Sequence, residues 1–374
     1  MKFSLTEEQE MLKKTARDFL AEKCSKTFVR QMEESEVGYS KDIWQEMAEL
    51  GWMGLAFPEQ YGGGGMSFLD LAVLLEEMGR ACLPGPFFST VVLGGLTILD
   101  ACSGEQKQRY LPGAISGDSI LTMALHEPDI RHYDALSMTV DATPDGEGYR
   151  ISGTSVFVPD AHVSDHLLCV ASTRPEDGIA VFAIDAGSAG ISYSPLSAIG
   201  GDKLFEVSFD RVSVPRSNML AGPEHGRRAV QKVLERAAVA SCCQVVGIMQ
   251  RVLEMTVDYA RERKQFDRPI GSFQVIQHYC AEMATDVDGA RFCTYRAAWM
   301  LSKGLACAGE VATAKVWTGE ASRRVLDRAH QIHGAIGVTM EHDLHFYTRR
   351  AKAAELVFGD ADFHRETIAR DMGL

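Results

Sequence analysis

The sequence predicts an α+β chain in three parts: an N-terminal helical domain over 1–118, a middle antiparallel β domain of barrel or sandwich type over 119–220, and a C-terminal four-helix bundle over 221–374. Two changes of hydrophobic period carry this reading. Apolar residues recur at helical spacing until about Ser119, alternate through the middle of the chain, and return to helical spacing from Gly226. A third observation is negative: no G-x-G-x-x-G occurs, which speaks against the commonest dinucleotide-binding fold.

In the first part, Thr6-Glu7-Glu8-Gln9 has the form of a capping box, and Leu12, Ala16, Phe19 and Leu20 follow at helical spacing. Ile43, Trp44, Met47 and Leu50 make a second apolar face, and Leu71, Leu74, Leu75 and Met78 a third. The run Gly62-Gly63-Gly64-Gly65 lacks the Gly-Lys-Ser/Thr ending of a phosphate loop and no strand precedes it. It reads as a structural turn ending near Ser67, a helix cap. Pro84-Gly85-Pro86 marks a break, and Ser103-Gly104-Glu105-Gln106 is a second capping box.

The middle part holds short runs rich in β-branched and aromatic residues at 120–125, 136–140, 149–152, 156–158, 166–171, 180–184 and 205–209. Turn clusters such as Pro144-Asp145-Gly146-Glu147-Gly148 separate them, and no helical pattern intervenes, which predicts antiparallel pairing. Val214-Pro215-Arg216-Ser217-Asn218 closes the domain. Three long helical segments and a short tail follow, with breaks at Gly271-Ser272, between Gly304 and Gly309, and at His333-Gly334-Ala335-Ile336-Gly337. Long helices with short connections favour an antiparallel bundle.

Composition excludes several classes. At 374 residues with 46% hydrophobic and 24% charged residues, the chain has an ordinary globular composition and is long enough for several domains. A net charge of −13 disfavours nucleic-acid binding. The N-terminus turns acidic at Glu7-Glu8 before any apolar signal core, and no run of about 18 apolar residues follows, so the chain reads as cytoplasmic without membrane insertion. Nine cysteines are scattered without a C-x-x-C, which suits reduced core thiols rather than a zinc site or disulfides. His330, His333, His342 and His345 straddle a glycine turn rather than one helix face, so no metal site is expected.

One stretch, 235–277, carries two candidate chemistries. It opens on Glu235-Arg236 among Val233, Leu234, Ala237, Ala238 and Val239, and its basic cluster is Arg261, Arg263, Lys264, Gln265 and Phe266. If 226–263 is one helix, Glu235 and Arg263 lie about 40 Å apart along it. They then serve different sites, and the basic end reads as an anion grip directed at something else, such as a neighbouring chain.

Several stretches carry a resemblance. In order they are Leu50-Gly51-Trp52-Met53-Gly54-Leu55 with Pro58-Glu59-Gln60-Tyr61-Gly62-Gly63, Gln108-Arg109-Tyr110-Leu111-Pro112, His126-Glu127-Pro128, Val214-Pro215, Arg263-Lys264-Gln265-Phe266, Gln331-Ile332-His333-Gly334, and the run 359–370. Over nearly its whole length the chain resembles the acyl-CoA dehydrogenase family. The resemblance implies the same order of domains, non-covalent FAD, and removal of two hydrogens from the Cα–Cβ bond of an acyl-CoA thioester. It also implies reoxidation by an electron-transfer flavoprotein and a homotetramer built as a dimer of dimers. By resemblance, Arg263 and Phe266 reach the pyrophosphate and adenosine side of a neighbouring subunit's FAD, with Gln331, Gly334 and Ala335 in the same contact. Leu125, His126, Phe157, Val158, Pro159, Gln274 and Asp360 complete the implied FAD set. Arginine suits phosphate because its fixed fork of donors matches the oxygens; the alternative for this end is a solvated basic helix terminus.

The chain departs from the family's pattern at three places. Where hydroxyls and glycines usually follow a Thr-Glu-Pro, it has His126-Glu127-Pro128-Asp129-Ile130-Arg131-His132-Tyr133-Asp134, in which Arg131 or His132 can replace the hydroxyls. The usual Trp-Ile-Thr against the flavin is Phe157-Val158-Pro159, and proline offers no donor. Most members carry a C-terminal glutamate that abstracts the α-proton, and Phe358 stands in its place. A minority place the base on the first bundle helix as the Glu of a Glu-Arg pair, the position of Glu235-Arg236.

A base there must be desolvated yet within reach of the carbon. The resemblance therefore favours Glu235 as base, with Asp360 or Asp362 as shorter-armed runners-up and Arg236 as a substrate CoA ligand. On the alternative reading Glu235 is a surface or salt-bridged glutamate partnered by Arg236. Two other functional readings stay open: a silent FAD- or CoA-binding subunit paired with an active paralogue in a heteromer, and a related oxidase or cyclic acyl-CoA dehydrogenase.

Overall fold

The computed structural model describes residues 4–126, 140–173 and 178–374. The chain opens with helices α1 (Glu7–Lys23), α2 (Lys26–Glu34), α3 (Lys41–Glu49) and α4 (Phe68–Ala81). A π-helix over Phe88–Gly95 runs directly into α5 (Leu96–Ala101), and α6 (Gly104–Ser116) follows. The strands are β1 (Leu121–Ala124), β2 (Asp141–Asp145), β3 (Gly148–Pro159), β4 (His166–Thr173), β5 (Gly178–Asp185), β6 (Ile191–Leu196), β7 (Leu204–Pro215) and β8 (Met219–Ala221). Helix α7 (Pro223–Glu262), a hairpin of β9 (Lys264–Gln265) and β10 (Arg268–Pro269), and helices α8 (Gln274–Ser302), α9 (Ala308–His333), α10 (Leu344–Leu356) and α11 (Ala361–Asp371) complete it. A helical N-terminal domain, a middle sheet and a C-terminal helical domain therefore stand in the expected order.

Local chemistry explains many of the ends. Both capping boxes form: Thr6 exchanges hydrogen bonds with Gln9, and Ser103 with Gln106. The glycine run is a structural turn, since a Cβ on Gly63 would lie 2.1 Å from the Phe57 carbonyl oxygen, a clash only glycine avoids. Helix α7 runs unbroken for 40 residues. All nine cysteines are free thiols, seven of them buried.

Spatially the chain forms two compact units, one of 1–30, 68–83 and 238–374 and the other of 31–67 and 84–237. In the first, α4 is buried nearly all round, and Leu71, Leu74, Leu75 and Met78 are each at most 1% exposed. Its backbone meets α7 closely: a Cβ on Gly79 would lie 2.0 Å from the Gln244 carbonyl oxygen, and one on Gly247 1.8 Å from that of Glu76. The helix also buries two acids. Arg17 holds Glu77 with two hydrogen bonds of 2.9 and 2.7 Å, while Glu76 accepts from the Tyr295 hydroxyl at 2.9 Å and from Arg291 at 3.3 Å. A buried carboxylate stripped of such partners costs several kcal/mol, on the order of 3–5.

The second unit contains the sheet, ordered β6-β7-β3-β2-β4-β5-β8 with β1 beside β4. Its core packs Ile151, Leu167, Phe182, Val207 and Val212, each at most 1% exposed. The sheet is mixed rather than purely antiparallel, because β1 and β2 both run parallel to β4. The β2–β3 hairpin lies inside the crossover from β1 to β4, and parallel neighbours require such a long connection. The runs at 149–152 and 156–158 join into one strand with register shifts, and the expected turn at 144–148 is largely strand, leaving Gly146 and Glu147 as the hairpin turn. Strands β6 and β8 escaped the sequence reading because β6 is a polar, exposed end strand with a proline and β8 is three residues long. The strand expected at 136–140 falls, except for Val140, outside the described residues, as do Arg131 and His132.

Candidate active site

The residues that the resemblance assigns to the flavin meet on the sheet. An isolated bridge joins His126 to Val156: the His126 carbonyl accepts from the Val156 amide at 2.8 Å and from the Ser155 hydroxyl at 2.7 Å. Leu125 and Val158 are buried at 8% and 1% exposure, and β3 bulges between Ser155 and Val158. The bulge puts Phe157 at φ +56° with 56% of its surface exposed, a conformation that costs a bulky residue on the order of 1–2 kcal/mol. Bulges of this kind re-aim a side chain. Pro159 follows, its carbonyl accepting from the Thr122 hydroxyl at 2.5 Å. Burial pushes the His126 imidazole down to about 4, so it is neutral at pH 7.

Glu235 and Arg236 lie near the start of α7. Val233, Ala237, Ala238 and Val239 are buried around Glu235, which is itself half-buried and accepts a hydrogen bond from Gln231 Nε2 at 3.1 Å. Arg236 is not its partner. The Arg236 guanidinium is paired with Asp100 at 2.5 Å and reaches the Leu96 carbonyl at 3.4 Å, both on α5. Among the described residues no cation lies within ion-pair distance of Glu235. The substrate role expected of Arg236 therefore has to share a guanidinium already neutralised by Asp100.

The basic cluster follows the far end of α7. Phe266 and Asp267, at φ +52° and +64°, are the two turn residues between β9 and β10, as a type I′ hairpin requires. Phe266 is 87% exposed, edge-on to Phe273 at 6.1 Å, and Arg268 lies 4.1 Å from the centre of the Phe273 ring. Arg263, Gln274, Gln331, Gly334 and Ala335 are exposed too. Tyr259, a turn before the hairpin, stacks on His333 at 4.6 Å and thereby ties α7 to the end of α9, where Gln331, Gly334 and Ala335 sit. His333 also lies edge-on to His342 at 4.8 Å, yet no group of three or more metal-type ligands converges among the described residues.

The C-terminal candidates form a tight turn. Phe358 at φ +58° and Gly359 at +93° link α10 to α11, and the His364 ring nitrogen Nε2 bonds to the Phe358 carbonyl at 2.9 Å. Burial pushes that imidazole down to about 4, which leaves it neutral. Asp360 is the helix cap of α11, accepting from the Phe363 amide at 3.0 Å, and is exposed. Asp362 is 88% exposed and paired with Arg365. Neither aspartate has the desolvated setting a general base needs, whereas Glu235 has part of it.

The family model of the acyl-CoA dehydrogenase N-terminal domain matches residues 6–118, and that of the acyl-CoA dehydrogenase C-terminal domain matches 224–373. A probable acyl-CoA dehydrogenase, YngJ, of Bacillus subtilis (strain 168) is 31% identical, with all of both chains covered. The chain belongs to the acyl-CoA dehydrogenase family. Among solved structures, a glutaryl-coenzyme A dehydrogenase in complex with glutaryl-CoA superposes with a TM-score of 0.93 at 30% identity, covering 100% of this chain and 96% of that one. The ChsE4-ChsE5 complex from Mycobacterium tuberculosis superposes with a TM-score of 0.91 at 30% identity over 100% and 99%.

FAD is the cofactor of acyl-CoA dehydrogenases, and the residues here fit it in kind. Phe157 offers an exposed ring face beside a buried apolar strand, and Arg263 and Arg268 offer exposed charged donors suited to a diphosphate. Pro159 supplies no donor, a difference the sequence already indicates. Sequence reading missed Asp100, Ser89 and Asp160, all engaged in the second unit. For Asp100 no local signal exists. For Asp160 a signal existed: an aspartate after a proline, a residue type that tolerates the left-handed region.

Proposed function

We propose that the chain is an FAD-dependent acyl-CoA dehydrogenase in which Glu235 is the base. The carrying observation is the contrast among its carboxylates. Glu235 is half-buried in an apolar surround and free of a cation among the described residues, while Asp360 and Asp362 are exposed and engaged, and Phe358 has no acid to give. In this reading Glu235 accepts the α-proton of the thioester as hydride leaves Cβ and the Cα–Cβ double bond forms. Bound FAD supplies the hydride acceptor, and an electron-transfer flavoprotein takes the electrons onward. Arg236, held by Asp100 on one side, keeps guanidinium N–H donors on the same helix for the CoA portion of the substrate. Phe157, Val158 and Pro159 hold the ring system, with His126 and Leu125 beside them. Arg263 and Phe266 reach a neighbouring subunit's FAD, joined by Gln274, Gln331, Gly334 and Ala335, in a homo-oligomer or a heteromer.

Anaerobic mixing of the purified yellow protein with straight, branched and cyclic acyl-CoAs tests the reading. Bleaching of the flavin is expected with at least one, slowed by roughly 10²–10⁴-fold in Glu235→Gln. Undiminished bleaching in that variant removes Glu235 as base. A second reading, a silent subunit that needs an active paralogue, is favoured by Phe358 and by the two-component relative ChsE4-ChsE5. Bound FAD that no acyl-CoA bleaches would support it, and rapid peroxide release in air would instead indicate an oxidase.

A further inference from the structure

We infer that Asp160 is a positioning residue for the flavin-facing bulge, acting as a neutral acid that donates to Ser89, whose hydroxyl in turn donates to the Pro86 carbonyl. The inference rests on the reading of Phe157 as a flavin contact. Its geometry lies wholly within the second unit.

Ser89, in the first turn of the π-helix, is 1% exposed, and its Oγ lies 2.6 Å from Asp160 Oδ2 and 3.1 Å from the Pro86 carbonyl oxygen. A serine hydroxyl has one proton to give. If Asp160 is ionised, both neighbours of Oγ are acceptors competing for that proton. If Asp160 is protonated, each contact has its own proton and the chain Asp160, Ser89, Pro86 is complete.

The backbone shows what this chain holds. Asp160 sits at φ +54°, three residues after Phe157 at +56°, which itself lies in the strand's register shift between Ser155 and Val158. Two left-handed residues so close persist only when the surroundings over-determine them. Three contacts do so: the Thr122 hydroxyl on the Pro159 carbonyl at 2.5 Å, the Asp160 amide on the Lys203 carbonyl at 2.8 Å, and the Ser89 link. Only the last depends on a proton. Thr90, next to Ser89, fixes the π-helix to β1 by bonding both the amide and the carbonyl of Leu121, at 3.2 and 3.3 Å. The Ser89 link thus ties the Phe157 bulge to an element already anchored on the sheet.

The charged groups around Asp160 agree with a neutral acid. Burial pushes its carboxyl up to about 7, the Ser89 hydrogen bond opposing and Asp202 adding to the rise. Lys203, beside Asp202, directs its ammonium to the Glu33 carbonyl at 2.8 Å. His162 bonds the Val37 carbonyl at 3.1 Å, Asp165 accepts from the Ile120 amide at 2.7 Å, and Tyr39 is raised by burial and by Asp165 and Asp160.

The experiment follows thermal unfolding and the visible circular dichroism of bound FAD from pH 5 to pH 9 in wild type, Asp160→Asn, Asp160→Ala and Ser89→Ala. The folded state raises the acid above its ordinary value of 3.8, so its stabilisation is complete below that value and is lost as pH rises to about 7. Asparagine donates to Ser89 as the neutral acid does and cannot ionise. The midpoint of Asp160→Asn is therefore expected to gain a few degrees on wild type between pH 5 and pH 8. The flavin signal of wild type should change near neutrality, that of Asp160→Asn should keep its low-pH form throughout, and that of Asp160→Ala should lack it at every pH.

Parallel melting profiles of wild type and Asp160→Asn overturn the neutral acid. A pH-independent flavin signal in wild type overturns the positioning role, and a Ser89→Ala variant that retains the wild-type pH response overturns the hydrogen-bond chain. Absence of flavin from the purified protein would sink the reading of Phe157, while the melting profiles still decide whether Asp160 is a neutral acid.

Discussion

Phe157 and Phe266 are both exposed phenylalanines at positive φ, 56° and 52°, but they are held in opposite ways. Phe157 sits beside buried Val158 and is followed by a segment clamped by Thr122, Ser89 and Lys203. Phe266 tips a hairpin of two paired residues a side, 87% exposed and touched edge-on by Phe273. The first position is strained and supported from within its own unit. The second is strained with little support, and a ring kept in water at that cost suits a surface that another molecule covers. The same backbone device thus gives a supported ring in one place and a projecting ring in the other.

Four substitutions break or sharpen this contrast. Arg263→Ala should have the largest effect, weakening FAD by roughly 10–100-fold, since one charge-assisted hydrogen bond is worth about 1.5–3 kcal/mol. Equilibrium dialysis measures it; once saturated with FAD, the variant should regain the wild-type flavin spectrum because the Phe157 wall is untouched. Unchanged affinity would leave Arg263 a solvated helix end. Phe266→Gly comes next. Removing the left-handed penalty should stabilise the folded subunit by about 1 kcal/mol in denaturant titration, while sedimentation shows the oligomer dissociating at higher protein concentration than wild type. Phe157→Gly should relieve similar strain and leave assembly alone, but shift the flavin absorbance. If both glycine variants alter assembly equally, the contrast between wall and projection fails. Pro159→Thr is the mildest: restoring a hydroxyl donor should tighten FAD by roughly threefold, in line with one hydrogen bond of about 0.5–1.5 kcal/mol, and no change would mean that position 159 faces away from the flavin.

The parts of the molecule that sequence reading recovered are those governed by neighbours in the chain. Capping boxes at Thr6 and Ser103 bond residues three apart, and Leu71, Leu74, Leu75 and Met78 of α4 repeat every three or four positions. Strand β6 was missed because an exposed end strand need not be apolar. The positive φ of Phe157 was invisible because phenylalanine carries no signal for the left-handed region, unlike the glycine at 359. Arg236 beside Glu235 invited a pairing, yet on a helix adjacent residues do not face each other, and its partner Asp100 lies 136 positions away.

The sequence by itself determined the order of helical and sheet parts, the reduced cysteines and the family, because these rest on periodicity, composition and short motifs that persist without knowledge of the fold. Tertiary structure alone decided that Arg236 is held by Asp100, that Asp360 caps a helix in the open, and that Asp160 meets Ser89. Which acid is left for chemistry depends on which partners and how much water reach it. Both are set by packing between segments far apart in the chain, where local pattern carries no information.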